Sequence, residues 1–196
     1  MSAWRDEPTL AGRRVTLRPL SRGDREAIVA AGAGLEDLFF TAVPRAETID
    51  AYLDKALADR DAGRAMPFVV VAPGGGVVGA TRLMRMNAEH RRVEIGTTFY
   101  APAVQRTGVN TEAKLLLLTH AFDMLGCHVV QIRTDGFNTR SQAAIERLGA
   151  KRDGVLRAHQ VMDGRVRDLV VYSIVAPEWP GVRRNLEWLL QRGERR

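Results

Sequence analysis

The sequence predicts an α/β (α+β) fold in which a mixed, mostly antiparallel central sheet of about seven strands is flanked by helices. In the middle of the chain, strand-like runs follow one another through turn residues, which is typical of antiparallel hairpins. Further along, strand-like runs alternate with helical ones, which is typical of a sheet covered by helices. A strongly apolar stretch at 111–125 indicates a helix that is buried over most of its circumference.

The first third of the chain predicts one strand and two helices. Residues 14–18 alternate between apolar and polar types, as a half-buried strand does. Ser21 is a plausible N-cap for a first helix, with Asp24 in its opening turn. Residues 46–62 carry apolar side chains at helical spacing and predict a second helix, which Gly63 ends.

The middle of the chain predicts three strands joined by turns. Residues 68–71 form an apolar run, and a second run begins at residue 77 and extends towards residue 86. The cluster of Pro and Gly at 73–76 lies between them. A glycine cluster can hold phosphate, but its position between two strands favours a hairpin turn. Residues 93–99 predict the next strand.

The last third alternates between helices and strands before a closing hairpin. After the apolar helix at 111–125, the predicted elements are a strand at 128–134, a helix at 139–148, strands at 155–162 and 167–175, and a final amphipathic helix. This order implies a mixed sheet rather than a fully parallel one. We expect a single domain over residues 1–196, a length that suits one sizeable core.

Composition excludes several classes of protein. No apolar run approaches the ~20 residues of a membrane span, and the polar start of the chain lacks a signal-peptide core, so we expect a cytoplasmic protein without a membrane partner. The single Cys127 excludes an internal disulfide and a cysteine-based metal cluster. The four histidines show no ligand spacing, so we expect no metal. They are His90, His120, His128 and His159.

The net charge of +6 could suit an anionic partner, but its distribution does not favour nucleic acid. The basic residues are scattered, without interleaved aromatic residues or a recognisable nucleic-acid module, so nucleic acid is an unlikely partner. One cluster of basic residues at the C-terminus indicates a solvated tail. It comprises Arg183, Arg184, Arg192, Arg195 and Arg196.

The segment from residue 97 to residue 113 carries the strongest functional signal. A strand runs into a loop, and the loop opens the apolar helix. Free backbone N–H groups and the helix dipole make such a helix start a natural pyrophosphate site, and Gly108 allows a ligand to approach the backbone closely. Taken alone, the pattern is equally compatible with a turn that binds nothing.

The loop sequence Gln105-x-x-Gly108-x-Asn110 resembles the Gln/Arg-x-x-Gly-x-Gly/Ala acyl-CoA loop of the Gcn5-related N-acetyltransferase (GNAT) superfamily. The predicted element order matches that fold over nearly the whole chain. The branch that resembles ribosomal-protein (RimJ/RimL-like) acetyltransferases is closer still. Its pattern appears as GVNTEAK (108–114), NTRSQAAIERLGA (138–150), GVLR-x-H (154–159), RD-x-x-x-YSI (167–174) and EWP (178–180).

The resemblance implies a GNAT-like acyl-CoA N-acyltransferase fold and acetyl-CoA as cosubstrate. The acetyl group passes to a primary amine, either a protein N-terminus or a small-molecule amine, by direct attack in a ternary complex. A homodimer is one option for the assembly. The residues that the resemblance places around the cosubstrate are Thr97, Thr98, Phe99, Gln105, Arg106, Thr107, Gly108, Val109, Asn110, Thr111, Asn138 and Ser141.

Two residues depart from the superfamily pattern. Asn110 stands where a Gly or Ala is usual, and its side chain either crowds the pyrophosphate or hydrogen-bonds to it. Ile145 stands where many members have a Tyr that protonates the CoA thiolate, and a hydrocarbon side chain cannot donate a proton. Ser141, which follows Asn138 on the same helix, is the nearest substitute. With the usual acid lost, a non-catalytic acyl-CoA-binding regulatory module is the alternative function.

Two residues are the candidate catalytic groups. Glu94 is the candidate base for the amine, acting through water, and its alternative is a salt-bridged strand glutamate. Ser141 is the candidate acid or thiol-holding hydroxyl, and its alternative is a helix serine bonded to the backbone. Asn138 either contacts CoA or caps its helix.

Several other polar residues are candidates for a functional or a structural role. His159, Asp168 and Tyr172 either face the acceptor or make structural hydrogen bonds. His120 is expected to be solvated. Cys127 and His128 point to opposite faces of a strand, so they do not form a dyad.

Overall fold

In a computed structural model, which describes residues 3–194 and the side chains of residues 3–192, eight strands form one sheet flanked by five α-helices. The strands are β1 (Leu10–Ala11), β2 (Thr16–Pro19), β3 (Met66–Val71), β4 (Val77–Asn87), β5 (Arg92–Tyr100), β6 (Val129–Asp135), β7 (Lys151–Met162) and β8 (Arg165–Val175). The helices are α1 (Arg25–Gly32), α2 (Ile49–Asp61), α3 (Val109–Thr119), α4 (Thr139–Leu148) and α5 (Trp179–Glu194).

The strand order is β1-β2-β3-β4-β5-β6-β8-β7, and every neighbouring pair is antiparallel except β5 and β6. The predicted fold class is therefore confirmed. The sheet has one strand more than the seven predicted, because Leu10–Ala11 pairs with β2. A two-residue strand is too short to show a periodic pattern in a sequence.

The sheet separates two apolar clusters, one on each face. Alternating residues of β3 show the division, because Phe68 and Val70 belong to the first cluster and Val69 belongs to the second. Helices α3, α4 and α5 pack on the first face, and α1 and α2 pack on the second. Among residues 3–194, no helix combines the length and the apolar character that a membrane span requires.

Helix α3 is buried as its apolar composition predicts, but its polar residues are buried too. It begins at Val109 and continues after Thr119 as a π-helical turn, His120–Met124. Lys114 and His120 are only 5% and 6% exposed. The expectation of a solvated His120 is therefore wrong, and burial lowers the pKa of its imidazole. A helix packed on two sides leaves little circumference for polar residues to reach water.

The basic group at the C-terminus is helical rather than a tail over its described part. Arg183 forms an ion pair with Asp123, and the Arg192 guanidinium lies 4.6 Å from the centre of the Trp188 ring. Both belong to α5. Arg195 and Arg196 lie outside the described residues.

The parallel strands β5 and β6 separate partway along their length, and this gap positions the site. Their pairing runs from Arg92 opposite Val129 to Ile95 opposite Ile132 and goes no further. Beyond Ile95, β5 also bulges against β4, because the register shifts between Ala80 and Arg82. A bulge bends a strand and increases its twist, which turns the end of β5 away from β6.

Candidate active site

The gap between β5 and β6 opens into a cavity of about 980 Å³. Its walls come from the end of β5, the loop before α3, one side each of α3 and α4, the end of β6, the start of β8 and the segment 35–42. The structure brings together at this cavity every predicted site residue except Val109. The Val109 side chain lies in the first apolar cluster, so only its backbone faces the loop.

The start of α3 presents a group of backbone N–H donors to the cavity. Gly108 has a φ of +91°, a left-handed conformation that glycine adopts without strain, and no side chain caps the helix. The first intrahelical bond runs from Glu112 N to Gly108 O at 3.0 Å. The N–H groups of Val109, Asn110 and Thr111 precede it and have no acceptor within the helix, so they are available to an anion.

Glu112 anchors the β1–β2 turn beside this loop. Its carboxylate accepts hydrogen bonds from the backbone N–H groups of Arg13, Arg14 and Val15, at distances between 2.6 and 3.1 Å. This contact brings the Arg14 side chain against Gly108. A β-carbon built at Gly108 would lie 3.4 Å from Arg14 Cδ. Glu112 is therefore a structural residue that places Arg14 near the loop before α3.

Three more arginines line the cavity near the start of α3. With Arg14, they form what we name the basic rim: Arg14, Arg106, Arg140 and Arg147. Arg140 donates to the side chain of Gln105, and Arg147 donates to Thr111 Oγ1 at 3.1 Å. Gln105 in turn donates to the carbonyl of Tyr100 at 2.9 Å. Free N–H groups surrounded by guanidinium groups fit the phosphates of acetyl-CoA.

Glu94 is a buried carboxylate between two arginines. It is 6% exposed, and its Oε2 atom lies 3.2 Å from Arg85 Nε and 3.1 Å from Arg133 Nε. These contacts are not aligned as hydrogen bonds, so Oε2 is unsatisfied among the described residues. Burial raises the pKa of the Glu94 carboxyl above its usual value, while the charges of Arg133 and Arg85 oppose that rise. Glu94 is therefore the salt-bridged strand glutamate that the sequence offered as the alternative, and its raised pKa is the property that suits a proton acceptor.

Asn138 and Ser141 lie at the start of α4, where the cavity meets the helix. Asn138 Oδ1 accepts the backbone N–H of Ser141 at 3.0 Å, so Asn138 caps the helix while also lining the cavity. Ser141 Oγ makes no hydrogen bond to any described residue and faces the cavity. Ile145, one turn further along, is 4% exposed and apolar.

Asp135 and Arg167 line the opposite end of the cavity and were missed in the sequence. Asp135 is 1% exposed and forms ion pairs with Arg165 and Arg167. Arg167 also donates to Gln160 Oε1 at 2.9 Å and to the carbonyl of Phe40 at 3.4 Å. The Arg167-Asp168 pair was visible in the sequence, but strand alternation alone does not reveal which of the two faces the cavity.

The other acceptor candidates lie away from the cavity, and two of them make structural hydrogen bonds. Asp168 accepts the N–H of Ala158 at 2.7 Å, and Tyr172 donates to Glu146 at 2.9 Å. His159 is exposed outside the cavity. Cys127 is 2% exposed, and burial raises the pKa of its thiol to about 12, which makes it a poor nucleophile.

Lys114 also lines the cavity. In the sequence it is a single charged residue within the apolar stretch that forms α3. Its Nζ atom donates to Thr98 Oγ1 at 3.2 Å. Burial lowers the pKa of its ammonium to about 7. Within residues 3–194, no group of three or more His, Cys, Asp or Glu residues is arranged to hold a metal ion.

Residues 14–151 match the protein family described as "Acetyltransferase (GNAT) domain". A curated protein of Bacillus subtilis (strain 168), named "Putative ribosomal N-acetyltransferase YdaF", is 33% identical over 107 residues. The match covers 55% of this chain and 58% of that protein, so the chain spans little more than half of this relative.

Two solved structures share the architecture. A GCN5-related N-acetyltransferase from Brucella melitensis superposes with a TM-score of 0.84 at 28% identity, covering 94% of this chain and 86% of that one. Mycobacterium smegmatis RimJ, solved in complex with CoA-disulfide, gives a TM-score of 0.81 at 24% identity, covering 96% and 97%. At that identity, the RimJ likeness supports the fold alone.

The family match covers most of the chain and includes most of the cavity-lining residues, the loop and the start of α4. The resemblance to the superfamily is thereby confirmed, and the ribosomal name of the Bacillus relative confirms the RimJ/RimL-like resemblance. The chain belongs to the GNAT acetyltransferase domain family.

Proposed function

We propose that this protein is an enzyme that transfers an acetyl group from acetyl-CoA to a primary amine by direct attack in a ternary complex. The observation that carries this proposal is the cavity itself. It extends from the N–H donors at the start of α3 to the buried carboxylate of Glu94, which connects an anion-binding end to a proton acceptor. Both ends belong to one continuous space, so the acetyl donor and the amine that accepts the acetyl group can meet within it.

Different residues of the chain would bind the cosubstrate, line the reaction site and accept the proton. The basic rim and the N–H groups of Val109, Asn110 and Thr111 would bind the phosphates and so align the cosubstrate with the gap. Acetyl-CoA supplies the activated acetyl group. Thr97, Thr98 and Phe99 line the gap where the chemistry would take place. Glu94 would accept the proton that the amine loses, through a water molecule.

A peptide N-terminus is the acceptor we favour over a small-molecule amine. The Bacillus relative carries a ribosomal N-acetyltransferase name, although the chain spans only part of it. On this chain, the cavity is lined beyond the gap by the apolar residues Leu35, Leu38 and Phe40, together with the Asp135–Arg167 pair. This surface can contact both the side chain and the backbone of a peptide's first residues.

A panel of amines tests the function. Peptides with different first residues and free polyamines and aminoglycosides would be mixed with acetyl-CoA, and thiol release would be followed together with the mass of the product. We expect acetylation of the peptides, at their α-amino group. Binding of acetyl-CoA without turnover of any amine would support the non-catalytic, regulatory alternative instead.

We also propose that residues 1–196 form one domain, in which case limited proteolysis should leave one protected fragment.

We propose further that the reaction needs no metal, in which case a chelator should leave turnover unchanged. Turnover that is lost with chelator and returns with zinc would contradict the metal-independent mechanism.

A further inference from the structure

Lys114 is a buried cation without a carboxylate partner. Its side chain projects from α3 into the cavity, is 5% exposed and donates to Thr98 Oγ1 at 3.2 Å. No described carboxylate lies within ion-pair distance of its Nζ atom. Lysine is almost never fully buried unless it is paired, because removing the ammonium from water is costly. The burial of Lys114 without such a partner therefore calls for an explanation beyond packing.

The position of Lys114 places it at the gap between β5 and β6. Thr98 lies three residues after Ile95, where β5 has left β6, and its hydroxyl also contacts Thr81 Oγ1 at 2.7 Å. The Lys114 amine is therefore held at the bulge of β5, inside the gap. The gap is the route by which the cavity passes between the two parallel strands.

Lys114 and Glu94 approach the cavity from opposite faces of the sheet. Ile95 belongs to the apolar cluster on the face that α3 covers, so its neighbour Glu94 projects from the other face. Both residues nevertheless line one cavity. An acid on the cosubstrate side and a base on the acceptor side are the arrangement that a transfer between two substrates needs.

We propose that Lys114, in its ammonium form, donates a proton to the sulfur that leaves acetyl-CoA. The inference rests on the proposed function. In the step, the amine nitrogen forms a bond to the acetyl carbon, and the bond between that carbon and sulfur breaks, with its electron pair leaving on sulfur. The Lys114 proton passes to sulfur, and the amine proton passes to Glu94. The products are the acetylated amine and CoA thiol, and solvent restores both side chains.

The acidity of the lysine matches this role. Burial lowers its pKa to about 7, below the ~8.5 of an ordinary thiol, so proton transfer to a thiolate is favourable. The other charged groups that line the same cavity are the basic rim on its side, Glu94 with Arg85 and Arg133, and the Asp135–Arg167 pair. None of these charges causes the shift, which comes from burial alone. Lys114 can therefore take the role that Ile145 cannot.

The test compares Lys114→Met with Lys55→Met, a matched change at an exposed lysine of α2 that pairs with Asp59. Methionine is unbranched and apolar, so it suits the buried position. We expect kcat of Lys114→Met to fall about 10²-fold, with a small change in the KM for acetyl-CoA. The wild-type fall of kcat at high pH, which reports loss of the donor proton, should disappear. A kcat like that of Lys55→Met would overturn the proposal.

A second measurement does not depend on turnover. The absorbance of the thiolate in the ultraviolet would be titrated for CoA bound to each protein. An ammonium beside the sulfur stabilises the thiolate, so bound CoA should ionise at lower pH in the wild-type protein than in Lys114→Met. Identical titrations would place the lysine away from the sulfur and reject the proposal. If no amine is acetylated but the titrations differ, the proposed function fails while the contact with sulfur stands.

The free protein provides a third readout. The chain has only three lysines, Lys55, Lys114 and Lys151. The depressed pKa means that the unfolded chain binds a proton that the folded one does not between pH ~7 and pH ~10.4, so wild-type stability should rise with pH across that interval. Lys114→Met should therefore melt well above wild type near pH 7 and close to it near pH 10. A constant difference in melting temperature would show that Lys114 does not titrate as proposed.

Discussion

Burial decides what individual side chains in the cavity can do. Glu94 and Lys114 are both almost inaccessible to water, and in both cases burial disfavours the charged form. The carboxyl pKa therefore rises while the ammonium pKa falls, and the two approach each other. A base that holds a proton more readily and an acid that releases one more readily are better matched to each other than unperturbed groups would be.

Replacing Glu94 with Gln tests the base. The amide keeps the shape of the side chain but cannot accept a proton, so we expect kcat to fall by about 10²-fold or more. Because the base works only when ionised, wild-type kcat should rise as pH increases through the raised pKa of Glu94. That ascending limb should vanish in Glu94→Gln. If pH profiles measured on the true acceptor coincide, the base must be sought near Asp135 and Arg167.

Replacing Ser141 with Ala tests the hydroxyl on the other wall. A hydroxyl has a much higher pKa than a thiol, so Ser141 would donate a hydrogen bond to the sulfur rather than a full proton. Losing one hydrogen bond of about 1.4 kcal/mol predicts a kcat about tenfold lower, with little change in acetyl-CoA affinity. Steady-state kinetics with both substrates varied would measure this. A loss as large as that of Lys114→Met would mean that the serine is the main proton source.

At the scale of elements, α3 and the loop before it combine binding and chemistry. One helix supplies the N–H groups at its start, the anchor for the β1–β2 turn at Glu112, and the amine of Lys114 two residues further on. Its N-terminus is fixed against the β1–β2 turn and its body against the sheet, so these groups keep constant positions relative to one another. Rigid placement of this kind lowers the entropic cost of binding and reaction.

Gly108→Ala tests the loop, and Gly75→Ala is its matched control. Both glycines have left-handed backbones, with φ of +91° and +84°, but Gly75 lies in the exposed turn between β3 and β4. A non-glycine residue in this conformation costs about 1–2 kcal/mol. We expect both variants to lose stability, while only Gly108→Ala binds acetyl-CoA about tenfold more weakly because the loop shifts. Calorimetry would measure both, and equal affinities would remove the loop from the binding site.

At the scale of the whole molecule, the chain carries an excess of positive charge, and part of that excess is concentrated at the cavity. The chain has a net charge of +6, and the basic rim concentrates four arginines at one end of the cavity. An excess of this kind attracts anionic ligands from a distance, and a cleft focuses the field. Nucleic acid is not needed to explain the charge, since a phosphate-bearing cosubstrate accounts for its location.

Salt should therefore weaken the binding of acetyl-CoA. Raising the ionic strength from about 0.01 M to about 1 M shortens the Debye length from ~30 Å to ~3 Å, so we expect KM for acetyl-CoA to rise several-fold. Arg140→Gln should reduce this dependence, because it removes one charge of the rim. Arg22→Gln, at an exposed ion pair with Asp54 outside the cavity, should leave it unchanged. Equal salt dependence in all three proteins would contradict focusing by the rim.

The sequence by itself determined the order of elements, the position of the anion-binding loop and the family. Strand alternation, helical spacing and a glycine before a helix are local patterns, and each was readable within about 15 residues. The strands and helices of the structure follow that order, with the short β1 as the addition. The missing tyrosine at Ile145 was equally visible, because a residue type at a fixed spacing needs no tertiary information.

The tertiary structure alone decided which polar groups meet at the cavity. Arg14 lies against Gly108, and Glu112 holds the backbone of residues 13–15, although almost 100 residues separate them. The role of Lys114 was also decided by tertiary structure. In the sequence it only interrupts an apolar helix, whereas in the structure its Nζ atom donates to Thr98 on β5. Local periodicity reports which face of an element is apolar. Whether a polar side chain on that face reaches water, a partner or a cavity depends on what distant parts of the chain pack against it, since burial is a property of the assembled layers.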